Sequence, residues 1–192
     1  MCIVHDEVRF DTPIGVMGLH LCKNGVHSLN FLFNSFDPDR CKEVAGEVHP
    51  QKKEEMLVAD ELTVLNWLRA YFEGRVDDLP KLFENMRFCC LASNGNGVSE
   101  FAVKVYNQLC AIPFGSTIHY SEVAAKIGQP KAARAVGGAV SVNPVTLIIP
   151  CHRVVPKTGS VGRYSHGKLD ELKKTLLHFE ARLLKKKVFI VT

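Results

Sequence analysis

The turn-forming run Ser93-Asn94-Gly95-Asn96-Gly97 falls where the charge of the chain changes sign. Residues 1–100 hold 10 Lys+Arg against 16 Asp+Glu, net −6, and residues 101–192 hold 14 against 4, net +10. Asn and Gly tolerate left-handed backbone and interrupt both helix and strand, so such a run marks a linker. A chain of 192 residues is long enough for two small domains at roughly 100 residues each, here 1–98 and 99–192, each able to bury a core.

Apolar residues make up 46% of the chain, but the longest uninterrupted candidate, around Val145 to Ile149, is far short of the ~18 residues a membrane helix needs. No membrane partner is expected. Asp6 and Glu7 stand where a signal peptide carries its apolar segment, so secretion is not expected either. Seven cysteines, an odd number at irregular spacings with Cys89 and Cys90 adjacent, suit the reduced thiols of cytosol or nucleus better than a disulfide framework.

In the acidic half, Val8 to Phe10, Val16 to Leu21 and Val26 to Phe33 read as strands, with Asn24-Gly25 as a hairpin signal between the last two. Val58, Leu62, Leu65, Leu68 and Phe72 recur at three- and four-residue steps, predicting an amphipathic helix from about Glu54 to Glu73 that Gly74 stops. The fold class is therefore α+β, an antiparallel sheet with a helix followed by a helical domain. The basic half opens with Ser99 as N-cap of a helix carrying Phe101, Val105, Tyr106 and Leu109, which ends before Pro113. Ser121 is the predicted cap of a short helix, Gly128-Gln129-Pro130 breaks it, and a second helix runs from Lys131 to about Val140. Two short helices around a glycine turn suggest a helix-turn-helix, an arrangement that other all-helical cores share.

Between Phe101 and Leu169 Glu122 is the sole acidic residue, against eight Lys and Arg. Such a field is either a solvated basic face or a site for a polyanion. The second helix surrounds Arg134 with Ala132, Ala133, Ala135, Gly137, Gly138 and Ala139. Each interior glycine costs about 1 kcal/mol relative to alanine, so the glycines answer either to tight helix packing or to close approach of something outside, with Arg134 entering a base stack.

The apolar segment Asn143 to Val155 reads as a buried strand delivering Cys151 between Pro150 and His152-Arg153. An isolated buried cysteine is usually inert. Adjacent His or Arg charge lowers a thiol pKa from about 8.5 and yields the attacking thiolate. Leu176, Leu177, Leu183 and Leu184 flank Glu180 at helical spacing, placing its carboxylate on an apolar face. A carboxylate there has a raised pKa, meets a polar partner such as His152, or sits at the rim.

The run Arg134-Ala-Val-Gly-Gly-Ala-Val-Ser-Val-Asn143-Pro144, followed by Ile149-Pro150-Cys151-His152-Arg153-Val154, resembles the signature of the O6-alkylguanine-DNA alkyltransferases. The likeness extends from about Phe101 through Tyr120 to Gly162, Tyr164, Ser165 and the last helix. It implies a ribonuclease H-like first domain of supporting role and a helix-turn-helix second domain. The implied function is irreversible transfer of an alkyl group, mainly methyl, from O6-alkylguanine in double-stranded DNA to Cys151, one lesion per protein molecule. The same resemblance assigns catalytic parts to Cys151, His152, Glu180 and Asn143 in a Cys151, water, His152, Glu180 relay with Asn143 as a hinge. It assigns DNA contact from the minor groove to Tyr120, Ala133, Arg134 and Gly137, and contact with the extruded base to Val154, Tyr164 and Ser165. It further implies a monomer acting in the nucleus, or in the cytoplasm of a prokaryote, with no cofactor in the chemistry. Thr146 and His166 stand where some members carry proline and glycine, which predicts a narrower pocket favouring methyl over benzyl groups, the alternative being that Thr146 leaves room. Cys2, Cys22 and His27 fall near positions where some relatives hold structural zinc, with Cys89 or Cys90 left to complete a set; zinc is an open possibility here and no metal ligand is assigned. Arg182 to Lys187 is either a nuclear address or a solvated helix end. The rivals to this reading are a non-catalytic sensor of alkylated bases, against which Cys151 speaks, and a Cys-His hydrolase, which would leave the basic field without a task.

Overall fold

The computed structural model describes residues 3–5, 7–32, 45–91, 98–164, 167 and 169–185. The chain falls into two compact units, 1–96 and 97–192.

The first unit is built on an antiparallel sheet of β1 (Val8–Thr12), β2 (Gly15–Cys22), β3 (Gly25–Phe31) and the two-residue β4 (His49–Pro50), in the order β3-β2-β1-β4. Period-two alternation is plain in β1, where Val8 and Phe10 are buried and Arg9 and Asp11 are not. The β2–β3 connection is a tight turn at Lys23-Asn24, with Gly25 entering β3 at φ 101°, a conformation that favours glycine. Phe10, Ile14, Met17, Leu19 and Leu29 fill the core together with Leu65, Leu68, Tyr71 and Phe72 of α1 (Ala59–Phe72).

The predicted helix start at Glu54 is corrected: a separate 3-10 turn covers Glu54–Met56, and α1 begins only at Ala59. Val58 is thereby the N-cap rather than a core residue and is exposed, and its backbone N–H donates to Glu61 Oε2 at 2.9 Å. A short helix, α2 (Leu79–Glu84), occupies the stretch whose sequence carries no periodic pattern. Phe33, the predicted end of β3, lies outside the described residues.

In the second unit α3 (Glu100–Cys110) starts as predicted, with Ser99 Oγ accepting the Ala102 N–H at 3.2 Å. It packs with α4 (Tyr120–Lys126) and α5 (Ala133–Ser141), and α6 (Asp170–Leu183) closes the unit. Ser121 is not a cap. Helix α4 starts two residues earlier than that cap implies, with His119 as N-cap and its N–H held by Glu122 Oε2 at 2.8 Å, so Ser121 lies inside the first turn. The unit is not purely helical, because β5 (Ile118–His119) and β6 (Val154–Val155) pair in parallel.

Candidate active site

Residues 143–153 do not form the strand expected of them. Prolines at 144 and 150 remove two donors a sheet would need, and the Asn143 side chain supplies substitutes: Oδ1 accepts from Val145 N–H at 3.0 Å and Nδ2 donates to Ile149 O at 2.8 Å. The segment folds on itself as a turn, with Ile149 N–H donating to Val145 O at 3.0 Å and Leu147 at φ 73°. Left-handed backbone costs a leucine about 1–2 kcal/mol; full burial of Val145, Leu147 and Ile149 offsets it. The turn delivers Cys151 at the head of a 3-10 turn, Cys151–Arg153, whose three side chains are all buried.

Around the Cys151 sulfur stand the Tyr164 hydroxyl at 3.7 Å and the Asn143 side chain, with the Lys173 charge nearby. Burial pushes the thiol up, and these hydrogen bonds and the lysine charge work against burial without cancelling it. The expected lowering of the thiol by its neighbours is therefore corrected: desolvation dominates, and the resting sulfur is protonated at neutral pH. Burial likewise raises Tyr164 well above the usual phenol, with Cys151 adding to the rise, so its hydroxyl stays protonated; its oxygen accepts from the resting thiol, and its O–H can donate to the thiolate once that forms.

His152 and Glu180 meet as the residue pattern allowed, Nε2 to Oε1 at 2.7 Å with no solvent exposure of either side chain. Two further partners are absent from the sequence reading. Arg153 binds the same carboxylate with two prongs, Nε to Oε2 and Nη2 to Oε1, each 2.9 Å, and Gly115 N–H donates to Oε2 at 2.9 Å. Gly115 has φ 65°, and a Cβ there would sit 2.6 Å from a Leu184 methyl. Burial works to raise the Glu180 carboxyl, but His152 and Arg153 override it and hold it well below the usual range. Burial pulls His152 below its ordinary value against the pull of Glu180, so the ring is neutral. With Nε2–H committed to the carboxylate, Nδ1 carries the lone pair, and this buried atom has no hydrogen-bond partner among the described residues.

Lys173 was also missed. It is fully buried on α6, donates from Nζ to Val154 O at 2.7 Å, and lies 6.0 Å from the centre of the Tyr120 ring. Burial lowers it to about 8. Its spacing of seven from Glu180 puts both on one face of the helix, a signal present in the sequence.

On α5, Arg134, Ala135 and Gly138 are exposed, and Ala133 and Gly137 are half-buried. A Cβ on Gly138 would meet nothing within 4 Å, and one on Gly137 would touch the Tyr120 ring at 3.9 Å. Helix packing within the unit thus requires neither glycine. Thr146 is buried; Ser165 and His166 lie outside the described residues.

In the first unit Cys22, His27 and Cys89 converge, with their ligand atoms all within 4.8 Å of one another. His27 Nδ1 is buried without a hydrogen-bond partner among the described residues. Two soft sulfurs and an imidazole with an uncommitted nitrogen fit zinc. Cys2 and the Cys90 side chain lie outside what the structure describes.

A family model described as 6-O-methylguanine DNA methyltransferase, DNA binding domain, matches residues 100–182. The methylated-DNA–protein-cysteine methyltransferase of Cricetulus griseus is 35% identical over 159 residues, spanning 82% of this chain and 74% of that protein. The crystal structure of Mycobacterium tuberculosis O6-methylguanine methyltransferase superposes with a TM-score of 0.65 at 29% identity, covering 94% of each chain. The structure of Mycobacterium tuberculosis OGT in complex with DNA gives 0.65 at 27% identity, covering 91% of this chain and 92% of that one. With its helical unit, its buried Cys-His-Glu cluster and these relatives, the chain belongs to the O6-alkylguanine-DNA alkyltransferases.

Proposed function

We propose that the protein repairs O6-alkylguanine in double-stranded DNA by moving the alkyl group, mainly methyl, to its own Cys151. The observation that carries the reading is the buried cluster in which Tyr164 reaches the Cys151 sulfur at 3.7 Å while His152 is fixed by Glu180 at 2.7 Å. The names of the relatives support the same chemistry.

In this reading His152 Nδ1 takes the Cys151 proton through a bridging water, and Glu180 stabilises the imidazolium that forms. The thiolate attacks the alkyl carbon, the carbon–O6 bond breaks, and its electron pair stays on the guanine, which Tyr120 protonates. Burial raises the Tyr120 phenol, with the Cys151 charge adding to the rise, which keeps it a donor until that moment. The Val154 carbonyl, held by Lys173 at 2.7 Å, and the Ser165 amide contact the extruded base, with Tyr164 against the alkyl group. Asn143 acts as the hinge between α5 and the nucleophile turn. The product is a thioether without a leaving group, so one protein molecule repairs one lesion.

Units α4 and α5 act as a helix-turn-helix entering the minor groove, with Ala133 and Gly137 allowing close approach and Arg134 filling the stack. The empty space above Gly138 supports this use of the helix. The first unit, 1–98 in functional terms, is a supporting ribonuclease H-like domain; the β3-β2-β1 meander followed by α1 supports that reading. Cys22, His27 and Cys89 would hold a structural zinc ion, which supplies cross-linking of β2 and β3 to the 89–91 turn and no part of the chemistry. The protein acts as a monomer, in the nucleus where its cell has one. No helix among the described residues is long and apolar enough to cross a membrane.

Intact-mass analysis after incubation with a duplex containing O6-methylguanine tests the proposal. One methyl per protein on the Cys151 peptide, absent in Cys151→Ala, is the expected result. Repeated turnover, or methyl uptake that survives Cys151→Ala, overturns it, and tight binding without modification points to the sensor.

A further inference from the structure

Tyr106 is a buried phenol on α3, remote in sequence from every residue of the proposed reaction. Its hydroxyl lies 3.1 Å from Ala139 O and 3.4 Å from Val142 O. Those carbonyls flank the C-terminal end of α5 (Ala133–Ser141), where a helix runs out of internal donors for its last C=O groups. Ala139 O also receives the Val142 N–H, at 3.3 Å. The next residue is Asn143, whose side chain holds the turn that carries Cys151. One hydroxyl on α3 therefore anchors the last turn and the C-cap of the helix with Arg134, immediately before the turn with the thiol begins.

Ala139 and Val140 pack the end of α5 by burial, and the Tyr106 hydroxyl adds a directional tie to its carbonyls. Val142 is 63% exposed, so its side chain adds no packing anchor, and Asn143 N–H reaches Val140 O only at 3.4 Å. The turn itself is secured separately, by Asn143 to Val145 and Ile149. Loss of the Tyr106 hydroxyl would leave the turn intact and free the end of α5 to shift against it.

We infer that Tyr106 is a positioning residue for transfer from DNA, clamping the C-terminal end of α5 to α3 at the point where the nucleophile turn begins, so that the nucleotide displaced by the helix arrives in line with Cys151. This rests on the functional reading above. The clamp matters when α5 is docked on a duplex and not when a free base diffuses into the pocket, and that difference separates positioning from general support of the fold.

Tyr106→Phe keeps the ring and its packing and removes the hydroxyl. The expected result is a fall on the order of tenfold in the transfer rate from an O6-methylguanine duplex, the factor that one lost buried hydrogen bond corresponds to. Transfer from free O6-methylguanine and affinity for undamaged duplex should each stay within about twofold of wild type on the same reasoning. Proportional losses with duplex and free base, or no loss with either, overturn the inference. Amide hydrogen exchange of Tyr106→Phe provides an arm independent of transfer: faster exchange at Asn143 with Val145 unchanged supports the clamp, and unchanged exchange at Asn143 overturns it. A wild-type protein that transfers nothing refutes the proposed function, while the exchange result still decides the clamp.

Discussion

His152 Nε2 sits 2.7 Å from Glu180 Oε1 with both side chains sealed from solvent, so the ring proton is committed and only Nδ1 can act as a base. Arg153 grips the same carboxylate through two nitrogens. Glu180→Gln leaves that guanidinium buried without its counter-charge, a change that costs about 3–5 kcal/mol. It also removes the anion that stabilises an imidazolium, which should slow transfer on the order of 100-fold. Urea denaturation and rapid-quench single-turnover assays measure the two effects.

Acid stability follows from the same pair. The Glu180 carboxyl in the fold lies below its ordinary 4.5, so the stability it contributes is present above about 4.5 and is lost as pH falls toward the folded value. His152 in the fold lies below its ordinary 6.5, so below about 6.5 the unfolded chain takes up a proton that the folded site refuses. Both shifts have the same sign. The urea midpoint should fall from neutrality downward and more steeply below about 4.5, and Glu180→Gln should lack the steeper part.

How much of this was visible beforehand depended on whether a residue's role is local. Ser99 as cap, the hairpin between β2 and β3, whose turn falls one residue earlier at Lys23-Asn24, and the strand at Val8 to Phe10 are decided by neighbours in sequence and are seen in the fold. The apolar run 145–149 misled, because period and apolarity cannot distinguish a buried strand from a buried turn; Asn143 bonding to Val145 and Ile149 decided it. Glu180 could be placed on an apolar face from spacing alone. The grip of Arg153 on it, and the approach of Lys173 to Val154, join segments 27 and 19 residues apart and leave no local signature.

Lys173 has a pKa of about 8, so in the fold it gives up its charge as pH passes that value, well before its ordinary 10.5. The lysine charge is one of the influences that hold the Cys151 thiol down against burial. The transfer rate should therefore climb with pH to about 8 and level off above it. Lys173→Met should be slower at pH 7 by roughly threefold to tenfold, given that one pKa unit is a factor of ten, and should lose the levelling. Its own effect on stability has a defined sign: between about 8 and 10.5 the unfolded chain binds the proton that the folded lysine has lost, so stability rises with pH there. Rate–pH profiles from pH 6 to 9.5 for the two proteins check the kinetic claim.

Zinc is tested by elemental analysis. Purified protein should carry about one ion, lost in Cys22→Ser and in Cys89→Ser, because those two sulfurs and His27 would supply three of its ligands. Chelation should lower the melting temperature while Cys151 methylation at room temperature continues, since the metal would cross-link the first unit whereas Cys151 lies in the second. Protein that is metal-free on purification under reducing, chelator-free conditions and equally stable with and without added zinc would remove the metal from the account.

Gly138 separates the two explanations of the small-residue helix, because they predict opposite signs for stability. It lies inside α5, at ordinary helical φ, with open space where a side chain would be. If packing within the protein demanded the glycine, Gly138→Ala would destabilise. With that space open, the substitution should instead stabilise by about 0.5–1 kcal/mol, the helix preference of alanine over glycine. The added methyl projects from the exposed face that carries Arg134, which in the proposed docking approaches a DNA groove too closely for added bulk. Duplex affinity should therefore fall several-fold even as the melting temperature rises, with the rate toward free O6-methylguanine unchanged. A thermal melt and a fluorescence-anisotropy titration read the two opposed effects in one variant, and a gain in stability without any loss of DNA affinity would show that α5 does not use this face on DNA.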